Sequence, residues 1–249
     1  MIERSEAGPV AVMRMGHGKA NALDLEFLVA LSRAFDEVAA SGSRALVLAG
    51  RGSIFGAGVD LIRLIEGGRA YLDEFLPALS GCFLRLFRMP KPTVAAVNGH
   101  AIAGGCVLAC ACDRRIMARG RWRIGVNELL VGVPLPLIVV EIIRAAAPNH
   151  AQTAMLTGRT YEPDEALARG LVDELADEDS LIEHATAVAA QLGAIPAESY
   201  RTTKELLRRP ALEAYERLGP EADRKTREAW GSDEVQQAIR AFVEKTLRR

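Results

Sequence analysis

Val97-Asn98-Gly99-His100-Ala101-Ile102-Ala103-Gly104-Gly105-Cys106 follows the apolar run Thr93 to Val97 and leads into a helical pattern of small residues, Ala103 to Cys112. Earlier, Ile54-Phe55-Gly56-Ala57-Gly58-Val59-Asp60-Leu61 repeats the arrangement after the apolar run Ala45 to Ala49. Both runs read as buried strands and both glycine-rich segments as turns into helices. A small-residue turn at a helix start lets the backbone approach a ligand and exposes its N–H groups. Two such turns brought together by folding can aim two N–H groups at one oxygen, the geometry that stabilises charge on a carbonyl.

Outward from these turns, strands alternate with helices, which argues an α/β core. Pro9 to Met15 alternates as a strand. Asp24 is placed to cap a helix whose apolar stripe is Leu28, Leu31, Phe35 and Val38. Helix is expected from Asp60, again from about Ala70 to Arg88, and ends at Met89-Pro90-Lys91-Pro92. Arg114 to Met117, Trp122 to Ile124 and Leu171 to Leu175 read as short strands, Gly125 to Glu128 as a loop, and Pro163 to Arg169 as a helix. From Ser180 the chain reads as helical, with a boundary expected between a core, 1–195, and a helical region, 196–249.

The chain has 249 residues, 49% of them apolar, enough for one large domain. Its 31 basic and 32 acidic residues nearly cancel, and aromatics are only 5%, so no nucleic-acid partner is expected. The longest apolar run, Val131 to Val140, is interrupted by Pro134 and Pro136 and too short to span a bilayer, so no membrane partner is expected. With no signal segment at the N-terminus, the expected location is cytoplasmic. Cys82, Cys106, Cys110 and Cys112 lack histidines at zinc-site spacing; they read as buried, reduced thiols, and no metal is expected.

Together these segments resemble the crotonase superfamily, the enoyl-CoA hydratase/isomerase family. The resemblance runs through "NALDLEFL", "FGAGVDL", "VNGHAIAGGC", "CD" at Cys112-Asp113, "IGVNE" at Ile124 to Glu128, "GRTYEPDEALARGLVDEL" and "AIRAFVEK". It implies a ββα spiral core with a C-terminal helical region, assembled as a homotrimer or dimer of trimers. It implies an acyl-CoA thioester as substrate and no cofactor beyond the CoA of that substrate. It puts the oxyanion hole at the N–H groups of Val59 and Gly104. Ala20, Ala22 and Ala57 fall where the family lines the CoA site; Gly58, Asp60, Leu61 and Gly105 flank the hole. Trp230 and Lys245 fall near a CoA contact shared with a neighbouring subunit.

One departure is informative. The family's hydratases use two glutamates to add water, and here the first position is Val107 while the second is Glu128. A valine cannot hold or deprotonate water, whereas one mobile carboxylate in a dry pocket suffices to move a double bond. The local wording is most similar to the Δ3-Δ2-enoyl-CoA isomerase branch, which makes Glu128 the catalytic acid–base and Asn127 a substrate contact. The alternatives are a hydratase working with Glu128 alone, another reaction through the same enolate, and an acyl-CoA-binding protein without catalysis. Phe75, Leu79 and Leu135 are expected to set acyl-pocket depth. Other residues carry plainer readings: Asp60 as a helix cap, His100 as a packed residue, and Arg114, Arg115, Arg119, Arg121 and Arg123 as a solvated basic surface or a CoA phosphate contact.

Overall fold

The computed structural model describes residues 1–246. It opens with an antiparallel pair, β1 (Ile2–Ala7) and β2 (Val10–Met15), and helix α1 (Leu25–Ala40). Three ββα units follow. They are β3 (Ala45–Ala49), β4 (Ile54–Gly56) and α2 (Leu61–Phe87); then β5 (Thr93–Val97), β6 (His100–Ile102) and α3 (Gly104–Ala111); then β7 (Arg114–Ala118), β8 (Ile124–Gly125) and α4 (Glu128–Val131). After them come α5 (Leu137–Ala146), α6 (Ala151–Thr157), α7 (Pro163–Ala168), β9 (Glu174–Ala176), α8 (Leu181–Ala194), α9 (Ala197–Trp230) and α10 (Asp233–Thr246). Residues 247–249 of the expected helical region lie outside the described residues.

Each unit gives its first strand to a six-stranded sheet, ordered β1-β2-β3-β5-β7-β9, and its second to a three-stranded sheet, β4-β6-β8. Apart from β1 with β2, the strands pair in parallel. This is the α/β spiral that the resemblance implies. The central parallel strands β3 and β5 are buried along their whole length and almost entirely apolar because both faces are covered. Met13, Leu46, Leu48, Ala95, Val97 and Met117 face the core under α1–α3, while Val12, Val47, Val94, Ala96 and Ile116 face a second cluster with Leu181, Ala185 and Ala189 of α8.

Local chemistry sets the helix starts. Asp24 Oδ1 accepts from Phe27 N–H at 2.7 Å, and Asp60 Oδ1 accepts from Ile62 and Arg63 N–H at 3.1 and 3.0 Å, so both aspartates cap helices. The two helical stretches expected after Asp60 are both present within α2, separated at Gly68, whose non-helical φ of +58° and ψ of −150° suit glycine. Helix α9 is pinned to the sheet by Asp113, which accepts from Lys204 at 2.7 Å, Arg208 at 2.6 Å and Thr93 N–H at 2.8 Å. Burial alone would raise the Asp113 pKa, but the two cations hold it below the ordinary range.

Several local expectations need correction. The glycine-rich segments are not simple turns: Ile54–Gly56 and His100–Ile102 are short strands of the second sheet. Strand β1 escapes hydrophobic periodicity because IERSEA is polar and mostly exposed on the sheet edge. The strands expected at Trp122 to Ile124 and Leu171 to Leu175 lie slightly later, at Ile124–Gly125 and Glu174–Ala176. Arg115 is not solvated: it is 6% exposed and paired with Asp173 at 2.7 Å. His100 is packed, its Nδ1 accepting from Arg123 N–H at 3.1 Å and its ring lying edge-on to Trp122.

Candidate active site

The glycine-rich segments interlock. A Cβ added at Gly105 would lie 2.2 Å from Gly56 O, and one added at Gly58 would lie 2.6 Å from Ala103 Cβ and 3.4 Å from Gly104 N. A Cβ on Gly104 would meet Leu23 Cδ1 at 2.6 Å and Phe83 Cζ at 3.5 Å. The missing side chains are what let the two backbones touch.

The orientation of each N–H follows from its neighbours' bonds. Leu23 N–H donates to Gly58 O at 2.7 Å, and Asp60 N–H donates to Leu23 O at 3.0 Å. These bonds clamp the peptides on both sides of Val59 and turn its own N–H away from Leu23. On the other segment, Ala103 holds φ +52°, ψ −123°, a strained conformation for a residue with a Cβ, while its N–H donates to Gly125 O at 2.8 Å. Gly104 is therefore the first residue of α3, where the N–H has no intrahelical acceptor. Neither the Val59 nor the Gly104 N–H meets a protein acceptor among the described residues.

Glu128 is the first residue of α4, not part of a loop as expected. Its Oε2 is buried and has no hydrogen-bond partner among the described residues. Burial pushes its pKa up to about 7, and no neighbouring charge contributes. The thiol pKa of Cys106, two residues beyond Gly104, is raised by its contact with Cys110 and by burial, with a smaller push from the Glu128 carboxylate. Val107 is fully buried on α3. Asn127 precedes Glu128, and its C=O accepts from Leu130 N–H at 3.0 Å. Gly132, at φ +94°, ends α4 directly beneath α10: a Cβ there would lie 2.7 Å from Ala238 Cβ.

The remaining expected residues surround this centre. Ala57 N–H donates to Ala20 O at 3.1 Å, joining two segments of the rim; Ala57 is exposed, and Ala20 and Ala22 are partly so. Leu61 is buried at the start of α2 beside the capping Asp60. Phe75 and Leu79 are buried on α2, with Leu135 packed against the same core. Trp230 is corrected: it is buried in this chain's own core, its indole N–H donating to Pro134 O at 2.8 Å. Lys245 is exposed in the last turn of α10.

Sequence patterns alone do not single out the residues that hold the segments in place. Asn21 is 4% exposed at φ +50°, and its amide donates to Met15 O, Ile54 O and Phe55 O while accepting from His17 N–H. Asn98 plays the matching part on the second segment, accepting from Gly50 N–H and donating to Gly52 O, both at 2.7 Å. The available signal is modest: Asn tolerates the left-handed region and carries both donor and acceptor.

Comparison with known proteins identifies the family and the fold. A family model described as enoyl-CoA hydratase/isomerase matches residues 5–248. A putative enoyl-CoA hydratase of Thermus thermophilus is 39% identical over 248 residues, covering 96% of each chain. The mitochondrial enoyl-CoA delta isomerase 1 of Rattus norvegicus is 31% identical over 250 residues, covering 98% of this chain and 86% of that one. The crystal structure of human mitochondrial delta3-delta2-enoyl-CoA isomerase superposes with a TM-score of 0.94 at 27% identity, covering 99% of this chain and 98% of that one.

Proposed function

The chain belongs to the enoyl-CoA hydratase/isomerase family, and from that premise we propose that it moves a double bond from C3 to C2 of an enoyl-CoA thioester. One observation carries the choice of reaction. The site has a single buried carboxylate, Glu128, and a fully buried valine, Val107, where the family's water-adding members place a second.

The thioester carbonyl accepts from the Val59 and Gly104 N–H groups. Glu128 removes a proton from C2, and the C–H electrons form a dienolate whose charge rests on the carbonyl oxygen in the hole. The protonated Glu128 then delivers that proton to C4, leaving the double bond between C2 and C3. A carboxyl group with a pKa near 7 suits both halves, since it can accept and return a proton at neutral pH. The reaction transfers only a proton, so it requires no cofactor besides the CoA of the substrate. Ala20, Ala22 and Ala57 line the CoA path, and Asn127, Leu61, Gly58 and Gly105 border the acyl group. Helix α10, within the helical region, packs over α4 and closes the site on that side.

The test uses the purified protein with 3-hexenoyl-CoA and, separately, 2-hexenoyl-CoA, products being identified by chromatography and mass. The expected result is conversion of the 3-enoyl to the 2-enoyl compound and no added water on either. A gain of water on 2-hexenoyl-CoA would establish the second reading instead, a hydratase working with Glu128 alone, which the Thermus thermophilus relative favours.

Assembly into a homotrimer or dimer of trimers belongs to the same proposal. Leu206, Leu207 and Leu218 of α9 are 54%, 75% and 47% exposed, apolar side chains that a neighbouring chain could cover. Light scattering is expected to give a mass of three or six chains; a monomer would refute it.

A further inference from the structure

A cavity of about 410 Å³ opens between α2 and α9, walled by Leu76 and Ser80 of α2, by Pro136, and by Tyr215, Asp223 and Arg227 of α9. Both elements that flank the reaction site lead into it. On α2, Phe83 reaches to Gly104, and Ser80 and Leu76 lie three and seven residues earlier on the same stripe of the helix. That places the cavity roughly 5–10 Å from Phe83 along the helix axis. On the other side, Val133 N–H donates back to Glu128 O at 3.1 Å, and the chain runs on through Pro134 to Pro136 in the cavity wall. Trp230 holds that passage by donating to Pro134 O. None of the reaction-site residues lines this cavity, so an acyl chain with its carbonyl at Gly104 has to run past Phe83 along this stripe of α2 to reach it.

The deep wall is apolar at Leu76 and Pro136, but the α9 wall carries a polar pair. Tyr215 donates to Asp223 Oδ2 at 2.9 Å, and burial, followed by that carboxylate, pushes the Tyr215 pKa up to about 12. Asp223 Oδ1 is buried with no donor among the described residues. A carboxylate oxygen removed from water and left unpaired is costly, and a plain hydrocarbon tail would not satisfy it. Arg227 also lines the cavity but is partly exposed to solvent. The unmet need in the buried part is thus for a donor.

We propose that this cavity is a distal acyl subsite, and that it selects chains whose far end carries a hydroxyl group donating to Asp223 Oδ1. The inference rests on the acyl-CoA reading of the site but not on the direction of isomerisation. The experiment titrates the whole protein, by calorimetry, with decanoyl-CoA, ω-hydroxydecanoyl-CoA and the ω-carboxy analogue. The hydroxylated ligand is expected to bind about tenfold tighter than decanoyl-CoA, as a hydrogen bond to a charged acceptor allows. Asp223→Ala is expected to remove that preference, and the wild-type comparison decides even if this variant fails to fold. Equal or weaker binding of the hydroxylated ligand overturns the subsite. Preference for the ω-carboxy ligand also overturns it, assigning the cavity to Arg227. No binding of any ligand overturns both this inference and the acyl-CoA reading. A hydroxyl preference without conversion of 3-hexenoyl-CoA leaves the subsite standing and removes the isomerase alone.

Discussion

Replacing Glu128 by Gln is expected to lower conversion of 3-hexenoyl-CoA by about 10⁴-fold while leaving the protein folded and more stable above neutral pH. The rate loss lies at the upper end of general acid–base effects because one group performs both proton transfers. Gln keeps the shape and leaves the Val59 and Gly104 N–H groups untouched, so substrate affinity should change far less than turnover. A variant that retains more than about a tenth of the wild-type rate would show that another group takes the C2 proton.

The stability half of this result has a definite sign. Burial raises the Glu128 pKa from 4.5 to about 7. Between those values the folded state holds a proton that the unfolded state has released, so stability falls as pH rises. Above pH 7 the accumulated penalty is roughly 3 kcal/mol, following from the size of the shift. Gln has no such term. Denaturant curves of the two proteins should therefore converge near pH 4, separate progressively between about pH 4.5 and 7, and stay apart above pH 7, with the variant the more stable. The wild-type rate should run the other way, rising with pH through about 7 as the base ionises. Opposite pH trends in stability and rate are the signature of a carboxylate kept in an unfavourable place for its chemistry.

The sequence made the α/β class legible because the decisive strands are continuous apolar runs bounded by glycine. Ala45–Ala49 and Thr93–Val97 could be placed to the residue because both faces of a parallel strand are buried. Of the second sheet only β8 was legible, read slightly early at Trp122 to Ile124, while β4 and β6 read as turns. Ile54–Gly56 and His100–Ile102 are three residues long, shorter than any periodicity can register. Of the site, the glycines and Glu128 were visible through their spacing and the family resemblance. The buried state of the Glu128 carboxylate was not, since it depends on α4, α10 and the core meeting around it. Asn21 shows the same limit. Its neighbours in the sequence suggest only a helix start, yet its partners Ile54 and Phe55 lie over thirty residues away.

Gly105→Ala is the change expected to damage both fold and function most. Gly105 has no left-handed backbone to protect, so loss of conformational freedom does not explain its need for glycine. The reason is contact. The new Cβ would lie 2.2, 2.6 and 2.9 Å from the O, C and Cα atoms of Gly56, all of them backbone. A flexible side chain could rotate away, but Gly56 is fixed in β4, whose strand pairs with β6 immediately before α3. Relief therefore requires the two segments to separate, and with them the Val59 and Gly104 N–H groups. The stability loss is expected to reach at least about 3 kcal/mol, the upper end of overpacking costs. Misplacing one oxyanion donor should lower the rate of the remaining folded protein by about 10²–10³-fold. Gly42→Ala is the matched control: an added Cβ there meets nothing within 4 Å, so its stability should stay within about 0.5 kcal/mol of wild type. Equal behaviour of the two variants in chemical denaturation would mean that the close approach of Gly56 and Gly105 does not hold the site. A large loss at Gly105 alone would tie the stability of the second sheet and the placement of the two N–H groups to one backbone contact.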